Sequence, residues 1–417
     1  MASSYKKIVV MGLGYVGLPT AAVLASRGVD VLGVDINTKT IELINKGKIH
    51  IEEPDLDVLV QGAVKSGHLR AASAPEKADA FIVSVPTPFK ENHEPDLAAI
   101  EEVAKAIAPV LQKGNVVVLE STVPVGTTNQ LSQWLAALRD DLVFPHQGAD
   151  KPIDVHIAHS PERVLPGRVL VEIVDNDRVV GGLTPVCSEK AAELYKVFVQ
   201  GECHLTNAWT AELVKLSENA YRDVNIAFAN ELSNVSDALG VNVWDVVRLA
   251  NRHPRVNILN PGPGVGGHCI AVDPWFIVSS APEQSELIRT ARLINDAKPK
   301  SVVQKIKDAA KSLKTSNVAC LGLSYKADID DLRESPAVEI VRLLADEKDL
   351  NCHVVEPHVD VLPPELENLS NVKLQSLEGA LKEARVIVLL VDHAAFRAVD
   401  QKQLEEKTVI DTRGFWS

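Results

Sequence analysis

No apolar run in this 417-residue chain approaches the ~20 residues that a membrane-spanning helix needs. The start, Met1–Lys7, is polar and leads straight into a short apolar segment. It lacks the longer apolar core and small-residue cleavage site of a secretory leader. Basic residues are in deficit: 43 Lys and Arg against 56 Asp and Glu give a formal net charge of −13. A nucleic-acid binder would show the opposite balance, so neither nucleic acid nor a membrane is expected as a partner. Cysteines are scattered. Cys187, Cys203, Cys269, Cys320 and Cys352 form no C-x-x-C pair, which argues against a metal site and a disulfide framework. A reduced cytoplasm suits them best. No short-period repeat or low-complexity tract breaks the chain. Hydrophobic residues at 46% and charged residues at 24% match a soluble globular protein, and the length suggests two or three domains.

Short apolar segments alternate with helical stretches from the start. Ile8–Met11, Val31–Val34, Phe81–Val85 and Val116–Glu120 read as strands, with helices over Leu18–Arg27 and Leu97–Leu111. This is the pattern of βαβ units in a parallel sheet. It continues to about residue 200, with His156–Ser160 and Arg178–Val180 as later strands. From Asn207 to Leu239 there is neither Pro nor Gly, and Leu213, Leu216, Ala220, Val224, Ala227 and Leu232 recur near helical spacing. Such a helix would be about 50 Å long. It is long enough to join two domains and to carry an apolar stripe for a second subunit. Gly240 suits its stop. A Pro/Gly-rich loop, 257–269, precedes a helical stretch around Glu286–Leu313. Strand character returns at Asn317–Ser324, Cys352–Val355, Val386–Val391 and Val409–Asp411. The expected architecture is α/β, with two Rossmann-like parallel-sheet domains joined by a long central helix. The expected divisions are an N-terminal domain over 1–200, a helical domain over 201–314 and a C-terminal α/β domain over 315–417.

Gly12-Leu-Gly14-Tyr15-Val16-Gly17 follows the first strand and opens a helix. Gly12 permits the tight turn, Gly14 lets the backbone approach a pyrophosphate, and Gly17 allows helix and strand to pack closely. The helix N-terminus offers N–H donors to the anion. Asp35 closes the next strand about 20 residues on, as a dinucleotide site requires. Its carboxylate suits ribose hydroxyls and repels a 2′-phosphate, and Ile36 follows it rather than Arg. NAD is therefore favoured over NADP, although Lys39 leaves NADP open. Two further loops close strands at the ligand-binding edge: Val85-Pro86-Thr87-Pro88, and Glu120-Ser121-Thr122 through Gly126. Ordinary turn chemistry explains their prolines equally well.

Cys269 lies in Gly264-Val-Gly266-Gly-His-Cys269-Ile-Ala-Val-Asp273. Glycines there let the backbone come close to a ligand. A thiol beside a nicotinamide has a specific use. An aldehyde made by a first oxidation cannot lose hydride again until a nucleophile adds to it. Thiolate addition gives a thiohemiacetal, a second oxidation gives a thioester, and water releases a carboxylate. Lys215 and Asn219, one helical turn apart, suit the oxyanions formed on the way, although a solvated helix face explains them equally well. Glu162, in Ser160-Pro-Glu-Arg163, suits a base for hydrolysis. His268 adjoins Cys269, but neighbouring side chains usually point apart.

Together these segments resemble the UDP-glucose/UDP-mannuronic acid dehydrogenase family over nearly the whole chain. They are joined by Ser121–Pro124, Glu212-Leu-Val-Lys-Leu-Ser-Glu-Asn219, and Gly322-Leu-Ser-Tyr-Lys326 through Asp331-Leu-Arg-Glu-Ser335. The resemblance implies Cys269 as nucleophile, Lys215 and Asn219 as oxyanion stabilisers, and Thr122 and Asp273 as holders of a water that Glu162 activates. It implies a UDP-sugar substrate contacted by Glu162, Arg163, Lys215, Asn219, Arg222, Gly266, Lys326 and Arg413, with Arg255 reaching the neighbouring subunit's substrate. Tyr15, Val16, Pro86, Thr87, Ser121 and Arg333 join the glycines and Asp35 around NAD. It also implies a homodimer built on the long helix. Where the UDP-glucose branch carries Cys-Phe-x-Lys-Asp, this chain has Cys269-Ile-Ala-Val-Asp273, similar to the branch that oxidises UDP-N-acetyl-D-mannosamine. UDP-N-acetylglucosamine enzymes more often have Ile-Pro at 270–271. The resemblance thus points to a mannosaminuronate product for bacterial surface polysaccharide. Two rivals make different predictions. A single-step hydroxy-acid dehydrogenase would yield one NADH per substrate, and a nucleotide-sugar sensor would bind without turnover.

Overall fold

The structure is a computed structural model that describes residues 5–90, 93–148, 152–165, 167–267 and 269–416. The chain divides into two compact units: Met1–Glu218 with Ser279–Ala281, and Asn219–Val278 with Pro282–Ser417.

The first unit is built on one eight-stranded sheet. Its strands are β1 (Lys7–Met11), β2 (Asp30–Val34), β3 (Leu69–Ala72), β4 (Ala80–Val83), β5 (Val116–Leu119), β6 (His156–His159), β7 (Arg178–Gly182) and β8 (Cys203–Asn207), ordered β3-β2-β1-β4-β5-β6-β7-β8. The central strands are buried on both faces, as a helix-covered parallel sheet requires. Alternation divides β1 between two cores: Ile8 and Val10 join Leu18 and Leu24 on one side, while Val9 and Met11 join Phe81 and Leu119 on the other. The expected parallel sheet is altered at one pair, because β7 runs antiparallel to β6. A parallel return needs a crossover along the strand's length. Here a loop and the short helix Val169–Asp175 lead directly into the reversed strand.

The second unit carries a five-stranded, all-parallel sheet. Its strands are β9 (Asn317–Leu321), β10 (Asn351–Val355), β11 (Val372–Leu374), β12 (Val386–Leu389) and β13 (Thr408–Asp411), ordered β11-β10-β9-β12-β13. Its cores again fall on two faces, with Val318, Cys320 and Val388 on one and Ala319, Leu321 and Leu389 on the other. In both sheets the first strand lies between its neighbours at a reversal of order, where α/β sheets bind ligands. The long helix forms over Ala208–Leu239 as the sequence predicts, and Gly240 beyond it has φ 68°. A second long helix, Glu286–Leu313, tolerates Pro299 within it. Among the described residues, no helix is long and apolar enough to cross a membrane.

A buried ion pair anchors the first sheet. Arg178 Nη1 donates to Glu120 Oε1 at 2.9 Å, Tyr195 donates to the same oxygen at 3.1 Å, and the guanidinium lies 4.4 Å from the centre of the Tyr195 ring. Arg178→Met strands the Glu120 carboxylate and should cost about 3–5 kcal/mol. Urea denaturation of the intact chain measures this loss, and an unchanged midpoint would contradict it.

Candidate active site

The glycine turn of the first unit is shaped by contact on one side and by open space on the other. Gly12 adopts φ 91°, and a Cβ there would lie 2.2 Å from the Ser84 carbonyl oxygen. A Cβ on Gly17 would lie 1.9 Å from the Gly12 oxygen, whereas one on Gly14 would meet no atom within 4 Å. Gly14 is therefore the glycine of the three with open space beside it. The helix Gly17–Ser26 opens with no acidic side chain and no side-chain cap, which leaves its dipole for an anion. Asp35 accepts from the amides of Leu13 (3.0 Å) and Asn37 (2.8 Å). A carboxylate has about four acceptor positions, so ribose hydroxyls can still be received there. These features fit a dinucleotide.

The loops after β4 and β5 are tied together. Ser121 Oγ accepts from Val85 N (2.9 Å) and donates to Val85 O (2.7 Å), and Thr87 Oγ1 donates to Thr122 O at 2.6 Å. Thr122 is half-buried beside them and Pro86 is exposed. Sequence reasoning gave Glu212 no role, yet it organises this corner. Fully buried, it accepts from Gly126 N (2.6 Å), Thr128 N (2.7 Å) and Thr128 Oγ1 (2.6 Å). It thereby caps the helix Thr127–Leu138, whose N-cap is Gly126. A lone carboxylate on a helix gives no sign of such a distant partner.

Glu162 accepts from the Val164 amide. Burial pushes its carboxyl up to about 7, with Lys215 and Arg178 pulling it partly back. His159, at the end of β6, is driven by burial to about 3 and stays neutral. Lys215 is half-buried on the long helix. Arg163 is engaged by Glu218 (3.0 Å) and by the Asp177 carbonyl.

In the second unit Cys269 is exposed. Its carbonyl accepts from Val272 N (3.1 Å) and Asp273 N (2.9 Å), closing a turn into the helix Asp273–Ser280. Buried Asp273 accepts from Asn219 Nδ2 at 2.6 Å. Arg292, fully buried, pairs with Asp223 and donates to the Ile270 carbonyl at 3.4 Å. The sequence suggests that the loop glycines make room for a ligand. A Cβ on Gly266 would instead lie 2.5 Å from the Glu334 carbonyl oxygen, and one on Gly267 would lie 3.2 Å from the Tyr325 ring. These glycines are small because the 325–336 segment lies against them. His268 lies outside the described residues. Lys326, Arg222, Arg255 and Arg333 are exposed, and Arg333 binds Asp331 at 2.6 Å. Arg413 donates to Asp392 at 2.9 Å, and a Cβ on Gly262 would lie 2.9 Å from Arg413 Nη1.

Known proteins share this layout. Residues 6–199 match the NAD binding domain of the UDP-glucose/GDP-mannose dehydrogenase family, 209–297 its central domain and 319–417 its UDP binding domain. The chain belongs to that family. The dehydrogenase is an NAD-dependent oxidoreductase of nucleotide sugars. It is 60% identical to a Ralstonia nicotianae protein named NDP-N-acetyl-D-galactosaminuronic acid dehydrogenase, covering 99% of this chain and 97% of that one. It is 56% identical to the UDP-N-acetyl-D-mannosamine dehydrogenase of Yersinia pestis, covering 99% and 100%. A solved UDP-N-acetyl-mannosamine dehydrogenase from S. aureus aligns with TM-score 0.86 at 42% identity, covering 98% and 95%.

Two outcomes test this site. Gly17→Ala should lower the thermal midpoint of the dehydrogenase. Gly14→Ala should keep the midpoint while weakening NAD binding by about tenfold or more, at ~1.4 kcal/mol per tenfold. Equal midpoint losses in the two variants would contradict the assignment. A Glu162 base works only when ionised, so turnover should rise with pH through about 7. That limb should vanish in Glu162→Gln, and its persistence there would remove Glu162 from the step.

Proposed function

We propose that the dehydrogenase oxidises C6 of UDP-N-acetyl-D-mannosamine to the carboxylate, through a covalent intermediate on Cys269. The observation that carries this reading is the exposed thiol on a turn whose far end is held by the Asn219–Asp273 bond. Two NAD⁺ molecules, bound in turn at the glycine turn, would accept the two hydrides. The Cys269 thiolate adds to the aldehyde carbon, a C–S bond forms, and the carbonyl oxygen becomes an oxyanion. Lys215 and Asn219 stabilise that charge. After the second oxidation the sulfur holds a thioester. Thr122 and Asp273 hold a water, Glu162 takes its proton, and the C–S bond breaks as thiolate leaves. Arg163, Arg222, Lys326 and Arg413 contact the anionic substrate against the chain's net negative charge, Gly266 lies beside it, and Arg255 reaches the substrate of a partner copy. Tyr15, Val16, Pro86, Thr87, Ser121 and Arg333 flank the cofactor.

We read 1–200 as the NAD-binding part, 201–314 as helical and 315–417 as UDP-sugar-binding. The product suits bacterial surface polysaccharide synthesis, and a reduced, reactive thiol suits the cytoplasm. A galacto-configured N-acetyl sugar is a second reading, favoured by the 60% identity to the Ralstonia protein.

A homodimer on the long helix is part of the proposal. Tyr221, Phe228 and Val235 are 74%, 57% and 47% exposed, and they recur every two turns along one stripe. Phe228→Glu should shift the dehydrogenase toward monomer in analytical ultracentrifugation, and an unshifted profile would exclude that face.

Assays across UDP-hexoses and both N-acetyl epimers should give two NADH per sugar, fastest with the manno substrate. One NADH per sugar would eliminate the four-electron course. Cys269→Ser should halt short of carboxylate, and full carboxylate production by that variant would exclude the covalent route.

A further inference from the structure

The loop after β12 does more than end a strand. Of two consecutive residues there, Asp392 bonds Arg413 and His393 bonds the residues that flank Lys326, and Arg413 and Lys326 are the two basic residues assigned to the nucleotide sugar in the C-terminal part. Asp392 Oδ1 accepts from Arg413 Nε at 2.9 Å. Arg413 Nη1 meanwhile reaches the glycine loop, 2.9 Å from where a Cβ on Gly262 would lie. His393, fully buried, accepts at Nδ1 from the Asp328 amide at 2.9 Å. Asp328 Oδ1 accepts in return from Ala394 N at 2.9 Å. Between them stands Lys326, whose carbonyl accepts from Ser324 Oγ at 2.6 Å. The Lys326 backbone is thus flanked by two contacts to His393: the Asp328 amide on Nδ1, and Ser324 Oγ at 3.3 Å from Nε2.

The partners also set the imidazole's tautomer. An amide N–H can only donate, so Nδ1 must be unprotonated and Nε2 must carry the hydrogen. Nε2 faces Glu356 Oε2 at 3.1 Å. That oxygen also accepts from Leu323 N (2.6 Å) and Ser324 N (3.1 Å), as Asp35 does for Leu13 in the first sheet. Glu356 therefore occupies the second sheet's counterpart of Asp35, and His393 sits against it. Asp328, His358 and His393 place ligating atoms within 4.8 Å of one another. Both His393 nitrogens are already engaged, so the trio holds a loop rather than a metal.

We propose that Asp392 and His393 are positioning residues that set Arg413 and Lys326 for the substrate's uridine diphosphate. This rests on the reading that Lys326 and Arg413 contact that group. Arginine recognises phosphate through a planar fork whose direction matters. A carboxylate on its Nε fixes that direction.

The test is calorimetric binding of UDP to the full chain, alongside KM and kcat for the nucleotide sugar and KM for NAD. Asp392→Ala and His393→Phe should each weaken UDP binding by about tenfold and raise the sugar KM far more than they lower kcat, with KM for NAD unchanged. Asp392→Ala should add nothing on top of Arg413→Ala, nor His393→Phe on top of Lys326→Ala. His393→Asn keeps an acceptor near the Nδ1 position and should restore much of the loss. Half-exposed Asp392 keeps the proposal testable should His393→Phe not fold. If Lys326→Ala and Arg413→Ala weaken UDP binding while Asp392→Ala does not, the positioning role is wrong and the nucleotide site stands. If Lys326→Ala and Arg413→Ala leave UDP binding unchanged, the nucleotide site itself is wrong and the proposal falls with it.

Discussion

One hydrogen bond anchors the turn that carries Cys269: the Asn219 amide donates to the buried Asp273 carboxylate at 2.6 Å. A charged acceptor taken out of water must be matched by donors or it destabilises the fold. Asp273 meets that demand at the first turn of its helix, where a negative charge also suits the dipole. The bond fastens the turn that starts at Cys269 to the long helix. The same turn is held from a second side by Arg292 at the Ile270 carbonyl, and its glycines are pressed by Tyr325 and Glu334. An exposed thiol is useful to catalysis only when its backbone is this constrained.

The first unit solves a similar problem with other residues. Its loops after β4 and β5 are tied together through Ser121 and Thr122. Glu120 below them is neutralised by Arg178, and Glu212 caps the helix that follows. Both carboxylates serve geometry. Glu162 has no ion pair among the described residues, and burial raises its pKa to about 7; burial raises Glu212 as well, with the bonds it accepts from Thr128 and Gly126 pulling it back.

Much of this was legible in the sequence. Central strands such as Phe81–Val83 and Val116–Leu119 are unbroken apolar runs, and the long helix is a Pro- and Gly-free stretch closed by Gly240. The three strands that sequence reading missed, Leu69–Ala72, Cys203–Asn207 and Val372–Leu374, are all sheet edges. Edges face solvent, so their side chains are mixed and carry no apolar signature. The glycine fingerprint, Asp35 and the Cys269–Asp273 spacing are local, and they were readable. Glu212, Arg292, Asp392 and His393 act on residues far away in the chain, and no local pattern marks them. The reversal of β7 was equally hidden, since strand direction depends on the path between strands rather than on their composition.

The claim on which the account rests is that a carbon–sulfur bond forms at Cys269. Rapid acid quench of the Glu162→Gln variant during turnover, followed by mass spectrometry of the peptide carrying Cys269, tests it directly. The account predicts that this peptide gains the mass of the sugar nucleotide in acyl linkage, lost on treatment with hydroxylamine. An unmodified Cys269 peptide while carboxylate product accumulates would contradict it.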